Sequence, residues 1–351
     1  MSATTLTDRE RAADSATRSR GSAAGQGHHG SHRDNEAHQG KRQRGAASQS
    51  GTRGQRRREA AWGYAFVAPA IVLFCVMGAY TLFFGLEVSF AQWNGLTPTW
   101  KWVGFKNYLD LLGGSPLYSP EVRQAALNTV IVMVVVPIAT VCIAFPLAII
   151  LNQVKRLSGV FRSVYFIPYV TTGVAVYMAW KYVLEPDGAF NALLTMFGLG
   201  SLSQPQGWLG NPDTALGTLI VIMVWSAVPV AMLLYLTGLQ SIDGAVLEAA
   251  KIDGAGWWRT NVSIIRPLLA GTTAIIVLLN VRDGLQGFQI FLLMTNGAPA
   301  GRTNVLGLEV YDLAFQKLLA PTLGLSSALG WLLFIAALVV AFINQKVTKE
   351  R

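Results

Sequence analysis

Five polar side chains interrupt the fifth of six long apolar segments in this 351-residue chain: Asn280, Arg282, Asp283, Gln286 and Gln289. Ionisable groups inside a membrane segment are costly, and they usually face a bundle interior or a wet cavity. Amide and guanidinium groups also supply the donors that the hydroxyl groups of a small polar solute accept. We therefore predict a solute path lined by Asn280, Arg282, Gln286 and Gln289. A structural contact with a neighbouring subunit, or a misjudged segment end, is the alternative.

Two aromatic residues of the fourth apolar segment extend this candidate path. Trp225 and Tyr235 have flat apolar faces and a polar atom, which suits stacking on a sugar ring. Aromatic rings inside a helical bundle also serve as ordinary packing, and the sequence leaves both interpretations open.

A second polar stretch separates the fourth and fifth apolar segments. Ser241 or Asp243 is a suitable N-cap for a short helix, and Gly254 is placed to end it in a left-handed conformation. A narrow apolar stripe follows helical spacing along it: Ile242, Val246, Ala249 and Ala250. The physical pattern fits equally a docking surface for a soluble partner and an amphipathic helix in the membrane interface.

The elements that must position these residues are membrane spans. A span requires roughly 20 mainly apolar residues. Six segments meet this requirement: 64–90, 125–151, 160–184, 215–239, 264–294 and 323–343. The alternating pattern of a membrane β-barrel is absent, so the sequence predicts a six-helix α-bundle over residues 60–351.

The first 59 residues have a different composition. They hold 12 of the 28 Lys and Arg residues and all four His residues, and they contain almost no large apolar side chain. Such a segment cannot bury enough surface to offset the entropy of ordering, so we predict a disordered basic tail. Without a Cys or acidic cluster, its histidines indicate a polar tract rather than a metal site. Its arginines, next to the first apolar segment, favour an orientation signal over nucleic-acid binding.

The distribution of Lys and Arg over the short loops predicts the orientation. With the N-terminus in the cytoplasm, and counting the tail only from Lys41 onward, cytoplasmic segments carry 16 of these residues and the opposite side carries 6. Without the tail the bias is 9 against 6. The positive-inside rule then places both termini and the 241–259 loop in the cytoplasm.

Several ordered motifs resemble one family of membrane proteins. Glu248-Ala249-Ala250 followed by Asp253-Gly254-Ala255 is similar to the EAA loop of ABC importer permeases. Further matches occur at the corresponding topological positions: 103–108 (VGFKNY), 128–129 (NT), 161–163 (FRS), 166–168 (FIP), 238–242 (GLQSI), 295–299 (TNGAP) and Thr303. Departures from the pattern are Asp243-Gly244 at the helix start, Arg266 before Pro267, and Ala298 in place of a glycine.

The chain thus resembles the permease subunits of binding-protein-dependent carbohydrate importers, of the maltose and glycerol-3-phosphate type. The resemblance implies an all-α integral membrane protein of the cell membrane with six transmembrane helices. It also implies a cytoplasmic ABC ATPase dimer, a second permease that is a different chain, and an external solute-binding protein that delivers a sugar. ATP would be used by the ATPase, and this chain would bind no cofactor. The ATPase interface would be formed by Glu248, Ala249, Ala250, Asp253, Gly254 and Ala255.

Other function classes find less support. The chain contains no HExxH, GxSxG or Walker A motif, so neither a membrane enzyme of those types nor ATP hydrolysis by this chain is predicted, and no catalytic or metal-ligating residue is assigned. An ion-coupled secondary transporter acting without an ATPase is the main alternative. No internal repeat supports it, and no repeated filter-like sequence supports a channel.

Overall fold

The computed structural model describes residues 53–153, 173–317, 320 and 322–349. Two compact units are distinguished, Met1–Cys75 and Val76–Arg351. In the described part the α-helices are α1 (Arg53–Leu73), α2 (Tyr80–Ser89), α3 (Lys106–Leu109), α4 (Ser119–Gln153), α5 (Val174–Val183), α6 (Ala189–Met196), α7 (Ala215–Gln240), α8 (Gly244–Ile252), α9 (Trp257–Arg259), α10 (Arg266–Leu268), α11 (Ala270–Gln286), α12 (Gln289–Met294), α13 (Leu306–Tyr311) and α14 (Leu323–Lys349).

Short irregular elements connect these helices. Two strands, β1 (Ala91–Gln92) and β2 (Lys101–Trp102), pair antiparallel with Ala91 opposite Trp102. A 3₁₀ turn covers Gly200–Leu202, and π-helical turns cover Phe74–Ala79, Asp110–Gly114, Thr260–Ile265 and Asp312–Gln316.

Long apolar helices confirm the predicted fold class. Four described helices are long and apolar enough to cross a membrane: Arg58–Ser89, Ser119–Gln153, Ala215–Gln240 and Leu323–Lys346. They match the first, second, fourth and sixth predicted spans. Their outward faces expose large apolar side chains such as Val130 and Val134 of α4 and Ile335 of α14, as expected for contact with lipid. Of the third predicted span, 160–184, residues 160–172 lie outside the described residues, so the count of six remains a prediction.

The fifth predicted span, 264–294, is wrong as a single helix. The segment Trp257–Leu268 meets α11 at an angle of 69°. Leu269 has left the helical region at the bend (φ −92°, ψ 14°), although its N–H still donates to the Ile265 carbonyl oxygen over 3.0 Å. Gly287 separates α11 from α12, because its backbone has left the helical region (φ −80°, ψ 73°). A Cβ at this position would overlap with the carbonyl oxygen of Asp283, which favours glycine there. Hydropathy detects the apolar character of this segment but neither break.

The predicted tail boundary at residue 59 also differs from the structure. Residues 1–52 lie outside the described residues, whereas α1 begins at Arg53. The stretch from Gln55 to Ala61 contains strong helix formers, which explains why the helix starts within the polar segment.

The main core lies between α4, α7 and α11. Leu219 and Met232 of α7 and Ile276 of α11 are fully buried in it. Glycines allow close approach at two points: a Cβ on Gly284 would lie 3.3 Å from Met133, and one on Gly238 would lie 2.8 Å from Leu269. Small residues at such crossings allow membrane helices to approach until their backbones nearly touch.

A second junction holds the start of α14 against the β1–β2 turn. The Leu323 N–H donates to the Trp93 carbonyl oxygen over 3.0 Å. Asn107, from the 103–108 motif, donates through Nδ2 to the carbonyl oxygens of Ser89 (2.8 Å) and Ala91 (2.9 Å). Gly324 faces this junction, and a Cβ there would overlap with the Ala91 carbonyl oxygen and lie 2.9 Å from Asn107 Nδ2.

The variant Gly324→Ala should therefore destabilise the protein by about 1–3 kcal/mol, the usual range for forcing an extra carbon into a close-packed site. Thermal unfolding of the purified full-length chain in detergent measures this. Gly330→Ala is the matched control on the same helix, since nothing lies within 4 Å of the position that a Cβ would take there. Equal melting temperatures for the two variants would contradict the close approach.

Candidate solute cavity and coupling helix

The loop between α7 and α11 forms the predicted short helix, and Asp243 caps it. The Ala245 N–H donates to Asp243 Oδ1 over 3.0 Å. The other candidate cap, Ser241, instead donates its hydroxyl to the Gly238 carbonyl oxygen and closes the end of α7. One acidic side chain thus satisfies an N–H group of α8 that has no partner within the helix.

The helix ends in a Schellman motif at Gly254. The Ala255 N–H donates to the Ala250 carbonyl oxygen (2.9 Å), and the Gly254 N–H donates to that of Lys251 (3.1 Å). Gly254 has φ +70°, a conformation that side chains with a Cβ adopt only at a cost. Nothing lies within 4 Å of the position that its Cβ would take, so the backbone conformation and not crowding requires glycine.

The faces of α8 differ in part from the predicted stripe. Ile242, Leu247 and Ala250 pack towards the core. The predicted stripe members Val246 and Ala249 are exposed instead. Leu247 takes their place, because the orientation of the helix on the core is set by neighbouring elements that a local periodicity does not contain.

The six candidate interface residues lie together at the C-terminal half of α8. Glu248, Ala249, Asp253 and Gly254 are exposed, Ala255 is half-buried and Ala250 is buried. Within the described part of the chain, Glu248 forms no salt bridge. The surface that α8 offers is therefore small, held by capping hydrogen bonds at both ends, and partly acidic. Its role in binding an ATPase stays a prediction.

A cavity of about 410 Å³ lies between α4, α5, α7, α11 and α12. Its volume falls in the range of small-molecule sites, and such sites combine apolar walls with few polar groups. Apolar residues form most of the wall, for example Val136, Met223 and Ile276. The polar groups in the wall are Tyr177, Ser226, Asn280, Arg282, Asp283 and Gln289.

Three of the predicted path residues line this cavity. Arg282 and Gln289 are exposed, and Arg282 forms no salt bridge with any described residue, so its donors are available to a solute. Asn280 is buried, and its amide already has partners within the bundle: Nδ2 donates to the Ile276 carbonyl oxygen (2.8 Å), and Oδ1 accepts from Thr140 (3.5 Å). Of the three, Arg282 and Gln289 are better placed than Asn280 to contact a ligand.

The other three predicted path residues are not in the cavity wall. The ring of Trp225 packs edge-on against Trp180, with centroids 5.4 Å apart. Tyr235 is buried, and its hydroxyl lies 2.9 Å from Thr273 Oγ1. Gln286 is exposed outside the lining. Their proposed contact with solute stays a prediction that the geometry does not support.

Tyr177 and Ser226 are wall residues that sequence reasoning missed. Other polar residues occur in the same predicted segments, for example Thr172 and Thr218, so residue type alone does not mark these two. Which face of α5 or α7 points inward depends on packing with other helices. No sequence signal identifies these two residues.

The described residues hold no group of three or more His, Cys, Asp or Glu side chains arranged for a metal ion. The four histidines of the tail lie outside the described residues.

Residues 117–349 match the family described as binding-protein-dependent transport system inner membrane component. The chain belongs to this family. The match covers α4 to α14, and thus both the cavity and α8, so the resemblance drawn from the motifs is confirmed.

Relatives and solved structures extend over nearly the same length. The chain is 31% identical over 292 residues to the lactose transport system permease protein LacF of Rhizobium radiobacter, covering 82% of this chain and 94% of that protein. It is 29% identical over 301 residues to the trehalose/maltose transport system permease protein MalF of Thermococcus litoralis, covering 84% and 96%. A structure of a bacterial alginate ABC transporter, in complex with an alginate pentasaccharide-bound periplasmic protein, matches with a TM-score of 0.69 at 20% identity. That match covers 84% of this chain and 96% of the other, and it concerns the fold.

The cap of α8 provides a test of the site's local structure. Asp243→Ala removes the acceptor for the Ala245 N–H and should cost about 1 kcal/mol of local stability. Hydrogen–deuterium exchange of the full-length protein should then be faster in the first turn of α8, whereas Asp243→Asn, which retains a capping oxygen, should remain near the wild type. Unchanged exchange in the alanine variant would show that the cap contributes nothing.

Proposed function

We propose that this permease subunit passes a sugar or related small polar solute into the cytoplasm, and that ATP hydrolysis by a partner ATPase drives the passage. The observation that carries the proposal is the cavity among α4, α7 and α11. It is large enough for a small solute, and Arg282, Asp283 and Gln289 are among the few polar groups in a mainly apolar wall. Donors and acceptors in an apolar site are the combination that recognises a polyhydroxy ligand and orients it.

The substrate class also follows from the relatives. The two named permeases belong, by their names, to lactose and trehalose/maltose transport systems. In this chain the cavity offers one cationic and one acidic group side by side, together with amide and hydroxyl groups. A neutral solute with several hydroxyl groups suits that balance better than a strongly charged one.

The coupling to ATP is assigned to α8. Its exposed residues Glu248 and Ala249 would enter a cleft on a cytoplasmic ABC ATPase, where Glu248 would pair with a basic group and Gly254 would set the turn. Movement of the ATPase dimer would be transmitted through α8 and the bend at Leu269 to α11, which carries Arg282. An external solute-binding protein and a second permease, a different chain, complete the proposed complex. Both termini and α8 are on the cytoplasmic side.

Reconstitution separates this function from the ion-coupled alternative. Purified full-length protein alone in proteoliposomes should show no sugar uptake, with or without a proton or sodium gradient. Uptake should appear only when the ATPase, the second permease, the binding protein and ATP are added. Gradient-driven uptake by the chain alone would overturn the proposal.

At the coupling helix, Gly254→Asp should abolish uptake while ATP hydrolysis continues uncoupled. A side chain at φ +70° costs roughly 1–2 kcal/mol and adds bulk and charge to the docking surface. Uptake and ATPase rates are measured in the reconstituted complex. Gly244→Ala, at the other end of α8 in open space, is the control and should transport normally. Wild-type uptake by Gly254→Asp would remove α8 from the coupling role.

Within the cavity, Arg282→Gln and Gln289→Ala should each raise the KM for uptake about tenfold, as expected for the loss of one hydrogen bond to a bound solute. Gln286→Ala is the matched control: it is a neighbouring amide outside the cavity wall and should leave the KM within about threefold of wild type. A larger effect at Gln286 than at Gln289 would place the solute path elsewhere. Membrane levels of each variant are compared by immunoblot.

A further inference from the structure

The connection between α12 and α14 is fastened to α4 by side chains of the 128–129 motif. Asn128 Nδ2 donates to the carbonyl oxygens of Arg302 (3.0 Å) and Asn304 (2.7 Å). Thr129 Oγ1 accepts from the Leu306 N–H over 2.9 Å at the start of α13. This part of the connection is therefore held in one position relative to the start of α4.

Glu309 of α13 lies behind this attachment and is almost completely buried, with 2% exposure. Its Oε2 accepts from Asn304 Nδ2 over 2.6 Å. Its Oε1 has no hydrogen-bond partner. The nearest cation, Lys317 Nζ, is 3.9 Å from Oε1 and instead bonds Glu121 at 3.1 Å. A buried carboxylate thus has half of its acceptor capacity unused.

Three buried acceptor atoms in this part of the connection have no hydrogen-bond partner. Besides Glu309 Oε1, the buried atoms Asn304 Oδ1 and Asp312 Oδ1 have no hydrogen-bond partner. Each such atom costs free energy in the folded protein, of the order of 1–3 kcal/mol. All three are acceptors, so they cannot satisfy one another without an added hydrogen atom.

The cluster around Glu309 also contains fewer cationic groups than carboxylates. The titratable groups that act on Glu309 are Lys317 and Asp312 after α13 and Glu121 of α4, and Tyr118 lies beneath the Lys317 ammonium, 5.8 Å from ring centroid to Nζ. Three carboxylates therefore share one ammonium group. If all three carboxylates were ionised, the cluster would carry a net negative charge, although the Glu309 carboxylate is buried and nearly desolvated. Low-dielectric surroundings penalise such an arrangement.

We propose that Glu309 is a proton-binding site: the folded protein holds its carboxyl group protonated, and the O–H donates to a buried acceptor of Asp312 or Asn304. One proton converts an unsatisfied acceptor into a donor and satisfies a second acceptor at the same time. It also reduces the net negative charge of the cluster by one unit. The protonated group secures the connection that Asn128 and Thr129 attach to α4. On the predicted orientation this connection lies outside the cytoplasm, where the pH of the surroundings acts on it directly.

The electrostatics of the cluster support this assignment. Burial raises the pKa of Glu309, and the charges of Glu121 and Asp312 raise it further, whereas the hydrogen bond from Asn304 and the charge of Lys317 lower it. Burial also raises the pKa of Asp312, against the lowering effect of Lys317. For Lys317, burial alone would lower the pKa, but the hydrogen bond to Glu121 and the nearby carboxylates outweigh it and the pKa is raised.

A raised pKa in the folded state has a defined effect on stability. Below the pKa of the unfolded chain both states bind the proton, and the stability is fully present. As the pH rises through the folded pKa, the folded state must give up its proton and that stability is lost. The unfolding constant should increase about tenfold for each unit by which the folded pKa exceeds the unfolded one.

Infrared spectroscopy of the purified full-length protein in detergent tests the protonation directly. At neutral pH the wild type should show a carboxylic-acid carbonyl band that disappears as the pH is raised. The band should be absent from Glu309→Gln and present in the matched control Glu121→Gln, which alters the half-exposed partner of Lys317. Absence of the band in the wild type would mean an ionised Glu309 with internal water. A band lost in Asp312→Asn but kept in Glu309→Gln would place the proton on Asp312. Either result overturns the proposal.

Thermal unfolding between about pH 5 and about pH 9 provides the second readout. Wild type should lose stability as the pH rises, and Glu309→Gln, a neutral isostere that supplies N–H donors, should lose much less. A purely structural role would instead lower the stability of Glu309→Gln equally at every pH. Stabilisation of the wild type by calcium or sodium ions, removed by a chelator or by dilution of salt, would identify a metal cation rather than a proton and would also overturn the proposal.

Discussion

The bend at Leu269 is the constraint on which the arrangement of cavity and coupling helix depends. A break inside an apolar segment frees backbone groups that hydrocarbon cannot solvate. Here the Leu269 carbonyl oxygen accepts both from the Thr273 N–H (2.9 Å) and from Thr273 Oγ1 (3.0 Å). The Tyr235 hydroxyl then lies 2.9 Å from that same Oγ1 and connects the bend to α7. The bend is thus bonded internally and fixed to a neighbouring helix.

Two consequences follow from this bonded bend. It directs the chain from the capped helix α8 into α11, so that the proposed docking surface and the polar cavity wall lie on one continuous segment. It also gives Tyr235 a structural task, which explains why this aromatic residue lies in the core and not in the cavity. Gly238 permits the arrangement, because a Cβ there would be 2.8 Å from Leu269 Cδ2.

The polar groups discussed above fall into three kinds, according to how far protein atoms satisfy their hydrogen bonds. Asn280 bonds to its own helix and to Thr140, and Asn107 and Asn128 hold loop carbonyl groups, so their polarity is used internally. The Arg282 side chain is instead exposed in the cavity wall. Glu309 belongs to a third situation, since it is buried and only half satisfied. An unsatisfied group that faces a cavity can be satisfied by a ligand or solvent, whereas an enclosed carboxyl group can be satisfied by a change in its own protonation.

Much of the architecture was accessible from the sequence. Hydropathy over roughly 20 residues located the long helices, because a span must be apolar along its whole length. Asp243 and Gly254 indicated the ends of α8, because capping and a positive φ depend on local residue type. The 248–255 motif, together with the others in their order, was sufficient to recognise the family.

What the sequence determined by itself was local or cumulative: the spans, the caps and the family. The tertiary structure alone decided which faces meet. It placed Tyr177 and Ser226 in the cavity wall, moved Tyr235 into the core, turned Leu247 inward and buried Glu309 with one carboxylate oxygen that has no donor. Each of these outcomes depends on the rotation of one helix against others distant in the chain, and a hydrophobic segment that is apolar on all sides carries no periodic signal of that rotation.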